Sequence, residues 1–279
     1  MKWQTYRSKL DSAVNYVAQT PTGTVETRFA RKAGYDVVYV SSQTGCSQGC
    51  RFCHLTVAGR PATVPGKVST DLLLEQVRHS TGSVSLQPRV HIDYMARGEP
   101  LLAPGAVNGA VMGRISDYLA QRGSEASHRI STIMPFGVGS ANLSMRFAGA
   151  RPIIYWSAYT GDDLARGRWM PRAVPADVAV RVLSDWSRSG GESRIHFAIV
   201  PGFNDSARAI DLLITALERG KWAPKVNLIE YNPAAGDTRS ARITLGEVAA
   251  QFADAGIEVK RVPRLAPDVN VACGMFSTD

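Results

Sequence analysis

No stretch of this chain is apolar for long enough to cross a bilayer, so a helical membrane protein is excluded and no membrane partner is expected. Cysteine is scarce, 4 among 279 residues, and a tight trio with one distant thiol does not resemble a secreted disulfide framework. The first residues, MKWQTYRSKLDSAVNYV, lack the apolar core and small-residue cleavage site of a secretory leader. These absences together place the expected setting in a reducing cytoplasm. Acidic residues are also in deficit. Asp and Glu number 24 against 32 Lys and Arg, giving a net charge of +8. The first 60 residues carry eight basic side chains and three acidic ones. That balance raises the odds of a polyanionic partner, above all nucleic acid. With 44% hydrophobic residues the chain can bury a core without covalent staples.

What the sequence does have is regular alternation of strand and helix patterns. VSTDLLLEQVRHS predicts a helix capped by Thr70, with Leu73, Leu74 and Val77 on one face. RVHIDYM predicts a strand. AVNGAVMGRISDYLAQR predicts a helix with Val107, Val111, Ile115 and Leu119 at i, i+4 spacing. The strands HRISTIM, RPIIYWSAY, RIHFAIV, KVNLIEY and GIEVKRV follow, separated in part by three further helices. These are VPADVAVRVLSDWSRSGG, DSARAIDLLITALERG and TLGEVAAQFADAG, the last opened by a capping-box pair, Thr244 and Glu247. Such alternation builds βαβ units and a parallel sheet. About six units follow the cysteines, fewer than the eight of a closed barrel, so the expected fold is α/β, a partial (β/α)6 TIM-like barrel. In such sheets the site lies at the C-terminal ends of the strands. Residues 1–35 stand outside the alternation and read as a short basic extension, a helix followed by the strand TGTVETRFA. Residues 36–279 are expected to form the core, ending in a cysteine-bearing loop.

The segment YVSSQTGCSQGCRFCH sets Cys46, Cys50 and Cys53 at C-x3-C-x2-C, and the fourth cysteine, Cys273, lies in VACGMF near the end. Three thiolates on a glycine-containing loop suit a metal. Structural zinc would need a fourth ligand, which His54 or Cys273 could supply. A 4Fe–4S cluster held by three thiolates would leave one iron open. Spacing alone leaves both choices open.

With Phe52 ahead of the last cysteine, the motif resembles the signature of the radical S-adenosylmethionine (SAM) superfamily. More narrowly, VSSQTGCSQGCRFC resembles the cluster loop of the RlmN/Cfr family of RNA adenosine methyltransferases. Five further motifs resemble that family's in the same order: RGEPLL with Gly98 and Glu99, STIMP with Ser131, WSAYTGD with Ser157 and Tyr159, NLIEYNP with Asn232, and VACGMF with Cys273. Singly each is a common turn or strand end; their order carries the resemblance, over residues 22–279. It implies a 4Fe–4S cluster on Cys46, Cys50 and Cys53 with SAM on the open iron. It implies that Phe52, Gly98, Glu99, Ser131, Ser157, Tyr159 and Asn232 face the cofactor, and that an electron donor such as flavodoxin or ferredoxin serves the cluster.

The family's chemistry reaches an aromatic carbon of adenosine, C2 or C8, through a methylated tail cysteine, here Cys273. A radical formed from a second SAM takes a hydrogen from that methyl group. RNA is the implied substrate. The chain departs from the family pattern twice. Tyr39 stands seven residues before Cys46, where the family has a second cysteine that releases product as a disulfide; tyrosine cannot do this, and His54 or Glu99 are alternative bases. Only some 20 residues precede TVETRFA, too few for the family's helical RNA-binding accessory domain. Two other functions therefore stay open: another radical modification of a nucleotide, DNA base or peptide, and a non-catalytic iron–sulfur protein that binds nucleic acid.

Overall fold

A computed structural model describes residues 1–59, 65–233 and 238–269. Its ten strands form one sheet in sequence order. The first three, β1 (Gln4–Arg7), β2 (Val14–Thr20) and β3 (Gly23–Lys32), are antiparallel neighbours, and β3 pairs antiparallel with β4 (Tyr35–Val40). From β4 onward every pairing is parallel, through β5 (Arg89–Tyr94), β6 (Glu125–Thr132), β7 (Ile153–Ser157), β8 (Ser193–Ala198), β9 (Lys225–Ile229) and β10 (Val259–Val262). The crossovers carry α1 (Thr70–Thr81), α2 (Gly109–Ala120), α3 (Ser140–Arg146), α4 (Asp163–Trp169) with α5 (Ala176–Arg188), α6 (Ala207–Arg219) and α7 (Leu245–Asp254). Six crossovers joining parallel strands are the expected (β/α)6 arrangement, with β10 as an added edge strand.

The N-terminal helix expected before TGTVETRFA is not formed: β1 and β2 occupy that segment. Residues Val14 to Ala18 are all buried, so the strand lacks the apolar–polar alternation that marks a half-exposed one. Tyr16 meets the His79 ring of α1, edge to face at 4.8 Å, while Asn15 donates to the Val269 carbonyl at 3.1 Å on the opposite side. A two-residue turn, Pro21–Thr22, joins β2 to β3. Helix α1 starts one residue earlier than expected, with Ser69 rather than Thr70 accepting from the Leu72 amide at 3.1 Å. The capping box of Thr244 and Glu247 forms as read.

Strand periodicity sorts the parallel sheet into two faces. Ile92, Ile130, Ile154, Trp156, Ile195, Phe197, Val226 and Leu228 point outward and pack with the helices in the main core. The alternate residues point into the barrel, and many are polar: His91, Asp93, Arg129, His196 and Asn227. The sheet has an open side between β10 and the N-terminal strands. Residues 263–269 run across it, held by Ser8 and the Lys9 amide on Asp268 at 2.8 Å and by the Ala266 amide on Asp11 at 3.1 Å. That strap leaves the C-terminal strand ends free to form a site.

Candidate active site

The loop after β4 is tied down before it reaches the cysteines. The Ser41 amide donates to Gln76 Oε1 at 2.8 Å, and Gln76 Nε2 returns a bond to the Ser41 carbonyl at 3.0 Å. Ser42 and Gln43 amides both donate to the Arg97 carbonyl. Thr44 Oγ1 donates to Thr22 O at 2.8 Å and accepts from the Gly66 amide at 2.9 Å. Short hydroxyl and amide side chains thus satisfy the backbone of a loop that has no regular ladder. Gly49 takes φ +68°, the left-handed turn between Cys46 and Cys50. The Cys53 amide then closes a turn on the Cys50 carbonyl at 3.1 Å.

Behind the loop lies a buried charge cluster: Glu26 accepts from Arg97 Nε at 2.8 Å and from Arg28 Nη2 at 3.0 Å. It was not legible from sequence, because Arg97 is brought to Glu26 and Arg28 only by the β3–β4–β5 pairing. Arg97 leads directly into Gly98 and Glu99. Gly98 has φ +105°, and a Cβ there would lie 2.7 Å from Ser42 Oγ and 2.9 Å from the Gln43 amide nitrogen, so only glycine fits. Gln43 Oε1 accepts from the Glu99 amide at 2.9 Å. The Glu99 carboxylate caps a short 3-10 turn, accepting from the Leu101 amide at 3.1 Å, and reaches the Ile133 amide at 3.2 Å. Burial pushes this carboxyl up to about 7, and these hydrogen bonds oppose the shift.

All three loop cysteines and all seven residues expected to face the cofactor line one cavity of about 140 Å³: Phe52, Gly98, Glu99, Ser131, Ser157, Tyr159 and Asn232 join Cys46, Cys50 and Cys53. They come from the β4 loop and the ends of β5, β6, β7 and β9, as the parallel fold requires. Ser131 and Ser157 hydroxyls stand 3.5 Å apart. Tyr159 takes φ +61°, an uncommon left-handed conformation for a side chain of its size. Two groups hold it there. Asn204 Nδ2 donates to the Tyr159 carbonyl at 3.0 Å and to Ala198 O at 2.8 Å. Arg166, fully buried, donates to the carbonyls of Ala158 and Thr160 on either side. The Tyr159 ring packs on Phe52, centroids 4.5 Å apart, and Phe203 extends this aromatic wall. Sequence reading missed Asn204, Arg166 and the lining residues Gln48, Thr132 and Tyr231; the last three fall inside recognised motifs.

Cys50 is buried, and Cys46 and Cys53 are at least half-buried. Burial and the neighbouring cysteine push Cys46 up to about 12, and Cys50 is raised well above its ordinary value for the same reasons. Thiols in such surroundings ionise only with a strong positive charge beside them, which a bound metal group provides. Among the described residues no three His, Cys, Asp or Glu side chains converge as on a single ion. Three thiols border the common cavity, the soft donor set that an iron–sulfur cluster would need. Tyr39 is elsewhere: it lines a neighbouring cavity inside the barrel, in register with Asp93 of β5. Cys273 lies outside the described residues, and His54 lines neither cavity.

The fold and this strand-end site define a radical SAM barrel. The chain superposes on a radical SAM methyltransferase from Sphaerobacter thermophilus with a TM-score of 0.81 at 19% identity, covering 98% of this chain and 80% of that one. It also superposes on anSMEcpe with bound AdoMet, TM-score 0.52 at 11% identity, over 79% of this chain and 62% of that one. No protein-family model matches the chain. It is 30% identical over 248 residues to a probable dual-specificity RNA methyltransferase RlmN 1 of Opitutus terrae, covering 85% of this chain and 67% of the relative. A ribosomal RNA large subunit methyltransferase Cfr of Lachnoclostridium phytofermentans is 27% identical over 88% of this chain and 71% of its own length. The chain belongs to the RlmN/Cfr family. It spans 59% of the length of a probable RlmN of Frankia alni, to which it is 28% identical.

Proposed function

We propose that this protein is a radical SAM methyltransferase that modifies an aromatic carbon of adenosine, C2 or C8, in RNA, with Cys273 as methyl carrier. The observation that carries the reading is the meeting of ten residues from five separate chain segments at one cavity. Cys46, Cys50 and Cys53 would hold a 4Fe–4S cluster, and the cluster would supply one electron to cleave SAM bound on its open iron. The rest is done by the chain. Gly98 lets the backbone approach closely at the β5 end, with Glu99 bracing it by its two amide contacts. Ser131, Ser157 and Asn232 offer hydroxyl and amide groups to a polar ligand. Phe52, Tyr159 and Phe203 form an apolar wall that keeps water from a reactive centre. The same relatives support RNA as the substrate class; an external one-electron donor completes the reaction, and the cluster calls for a reducing compartment.

The test is anaerobic reconstitution with iron and sulfide, reduction, and incubation with methyl-labelled SAM and total RNA. Label should appear in a digested adenosine nucleoside, and intact-mass analysis should show a methylated Cys273. Turnover that survives Cys273→Ala, with no methyl group on the protein, would sink the reading. Tyr39 favours one second reading, a different radical modification without a releasing disulfide. It would give 5′-deoxyadenosine with no label in RNA.

A further inference from the structure

Beneath the strand-end cavity the barrel interior opens into a second one of about 320 Å³, a volume suited to one small ligand. Met95, Ile229, Glu230 and Asn232 line both, so the two adjoin. The lower cavity is polar where a barrel of this kind ordinarily packs side chains. Arg129 Nη2 lies 3.0 Å from His91 Nε2, and Arg129 Nε is 3.9 Å from Asp93 Oδ1. Five buried atoms here have no hydrogen-bond partner: His91 Nδ1, His196 Nδ1, Arg129 Nε, Asp93 Oδ1 and Asn227 Oδ1. Buried polar atoms are seldom left so, which points to a ligand that completes them. The two imidazoles are also held in place. Tyr35 packs on His91 with centroids 4.2 Å apart, and Tyr155 on His196 at 4.3 Å.

The charge balance says what completes them. Six cations line the cavity, Arg28, Lys32, Arg129, Arg194, Lys260 and Arg264, against two acids, Asp93 and Glu230. Some of these are partnered: Arg28 by Glu26, Arg194 by Glu192 and Arg264 by Glu230. The excess remains positive. Both imidazoles register it, His91 pushed down to about 4 and His196 to about 3, by burial first and by Arg129 next. Neutral imidazoles beside guanidinium groups are donors waiting for an acceptor-rich anion.

Resting on the reading of the upper cavity as the SAM site, we propose that the lower cavity binds a phosphomonoester, so that the substrate is a nucleotide presented by its terminal phosphate. The phosphate sits among Arg129, His91, His196 and Arg194. Asp93 and Asn227 accept from the hydroxyl or amine donors of the nucleoside, and the base points toward Met95 and the upper cavity. A pocket inside a barrel admits the end of a molecule more readily than the middle of a strand. A free mononucleotide and the 5′-terminal nucleotide of a chain present the same chemistry.

The test is anaerobic titration calorimetry of the full chain with adenosine 5′-monophosphate, adenosine, inorganic phosphate and a short RNA with or without a 5′-phosphate. The monophosphate should bind about tenfold or more tighter than adenosine, with inorganic phosphate competing and added salt weakening it. Arg129→Gln should remove that preference; should it fail to fold, Lys260→Gln, exposed at the cavity mouth, should still weaken the monophosphate by about threefold. Equal binding of adenosine and its monophosphate, or no competition by phosphate, overturns the proposal, as does RNA without a 5′-phosphate binding as tightly as the monophosphate. A 5′-phosphorylated RNA that matches the monophosphate identifies a strand end as the source, and one that binds more weakly identifies the free nucleotide. None of these readouts needs reduction or methyl transfer, so they stand or fall apart from the proposed reaction.

Discussion

Replacing Arg166 with methionine tests whether the Tyr159 conformation is held from behind. The guanidinium is buried, donates at 2.5 Å to the Ala158 carbonyl and at 3.1 Å to that of Val174, and lies 5.2 Å from the Trp156 ring centroid. A third contact to Thr160 O is longer, 3.4 Å. Burial pulls its pKa down to about 10, with Asp163 and Cys50 opposing, so the group is still a cation at neutral pH. Methionine keeps the aliphatic packing on Trp156 but strands the carbonyls of Val174 and Thr160, while that of Ala158 keeps the Thr160 amide at 2.8 Å. Each charged hydrogen bond is worth about 1.5–3 kcal/mol, and each orphaned carbonyl costs a further ~1–3. Removing a buried cation gives part of that back. The net loss should be about 3–5 kcal/mol, near the cost of breaking a buried charged network. For a chain of this size that lowers Tm by about 6–15 °C. Urea unfolding followed by tryptophan fluorescence measures it, and SAM binding should weaken as well because Ala158 and Thr160 flank Tyr159. A loss below about 1 kcal/mol would refute the reasoning, since the Val174 and Thr160 carbonyls would then have other partners.

Gly98→Ala places a methyl group 2.7 Å from Ser42 Oγ at φ +105°, so it should destabilise by about 2–4 kcal/mol in urea unfolding, and near-neutrality would show that the loop yields there. His128 is bonded to Tyr94 at 3.2 Å and Ser116 at 3.0 Å and is pushed down to about 4 by burial. The folded chain keeps it neutral while the unfolded chain protonates it near pH 6.5, so its contribution is complete above pH 6.5 and is lost as pH falls toward 4. The stability difference between wild type and His128→Gln should therefore narrow by about 3 kcal/mol over that window; parallel pH profiles would contradict the assignment.

What could be read from sequence was local or ordered. The α7 capping box and the apolar faces of α2, α5 and α6 depend on neighbours within a turn or two, and the motif residues lie at strand ends that alternation locates. The N-terminal strands were misread because both faces of β2 are covered, which erases the period that distinguishes strand from helix. Helices α3 and α4, seven residues each, are too short to show a hydrophobic period. The positions of Arg166 and Asn204 depend on where distant carbonyls fall. The polar interior was present in the letters. RVHIDYM and RIHFAIV carry His91, Asp93, Arg194 and His196 at alternate positions, a pattern foreign to strands buried on both faces.

That interior also reorders the groups that could release product where Tyr39 stands in place of a thiol. His54 borders neither cavity. Glu99 borders the upper one, but each of its oxygens already accepts from a backbone amide, and protonating it would cost those contacts. Asp93 is paired in register with Tyr39 and faces the interior, and its Oδ1 lacks a hydrogen bond. Burial raises it to about 6, against the pull of Arg129, so it exchanges a proton near neutral pH, and protonation weakens only its long 3.9 Å ion pair with Arg129. For the proton that the adenosine carbon gives up in the proposed methyl transfer, the geometry favours Asp93 over either base that the sequence suggested. Losing that proton leaves the carbon–sulfur bond to Cys273 intact, so with Tyr39 in place of a thiol its cleavage is a separate step that neither the phenol nor the acid beside it performs.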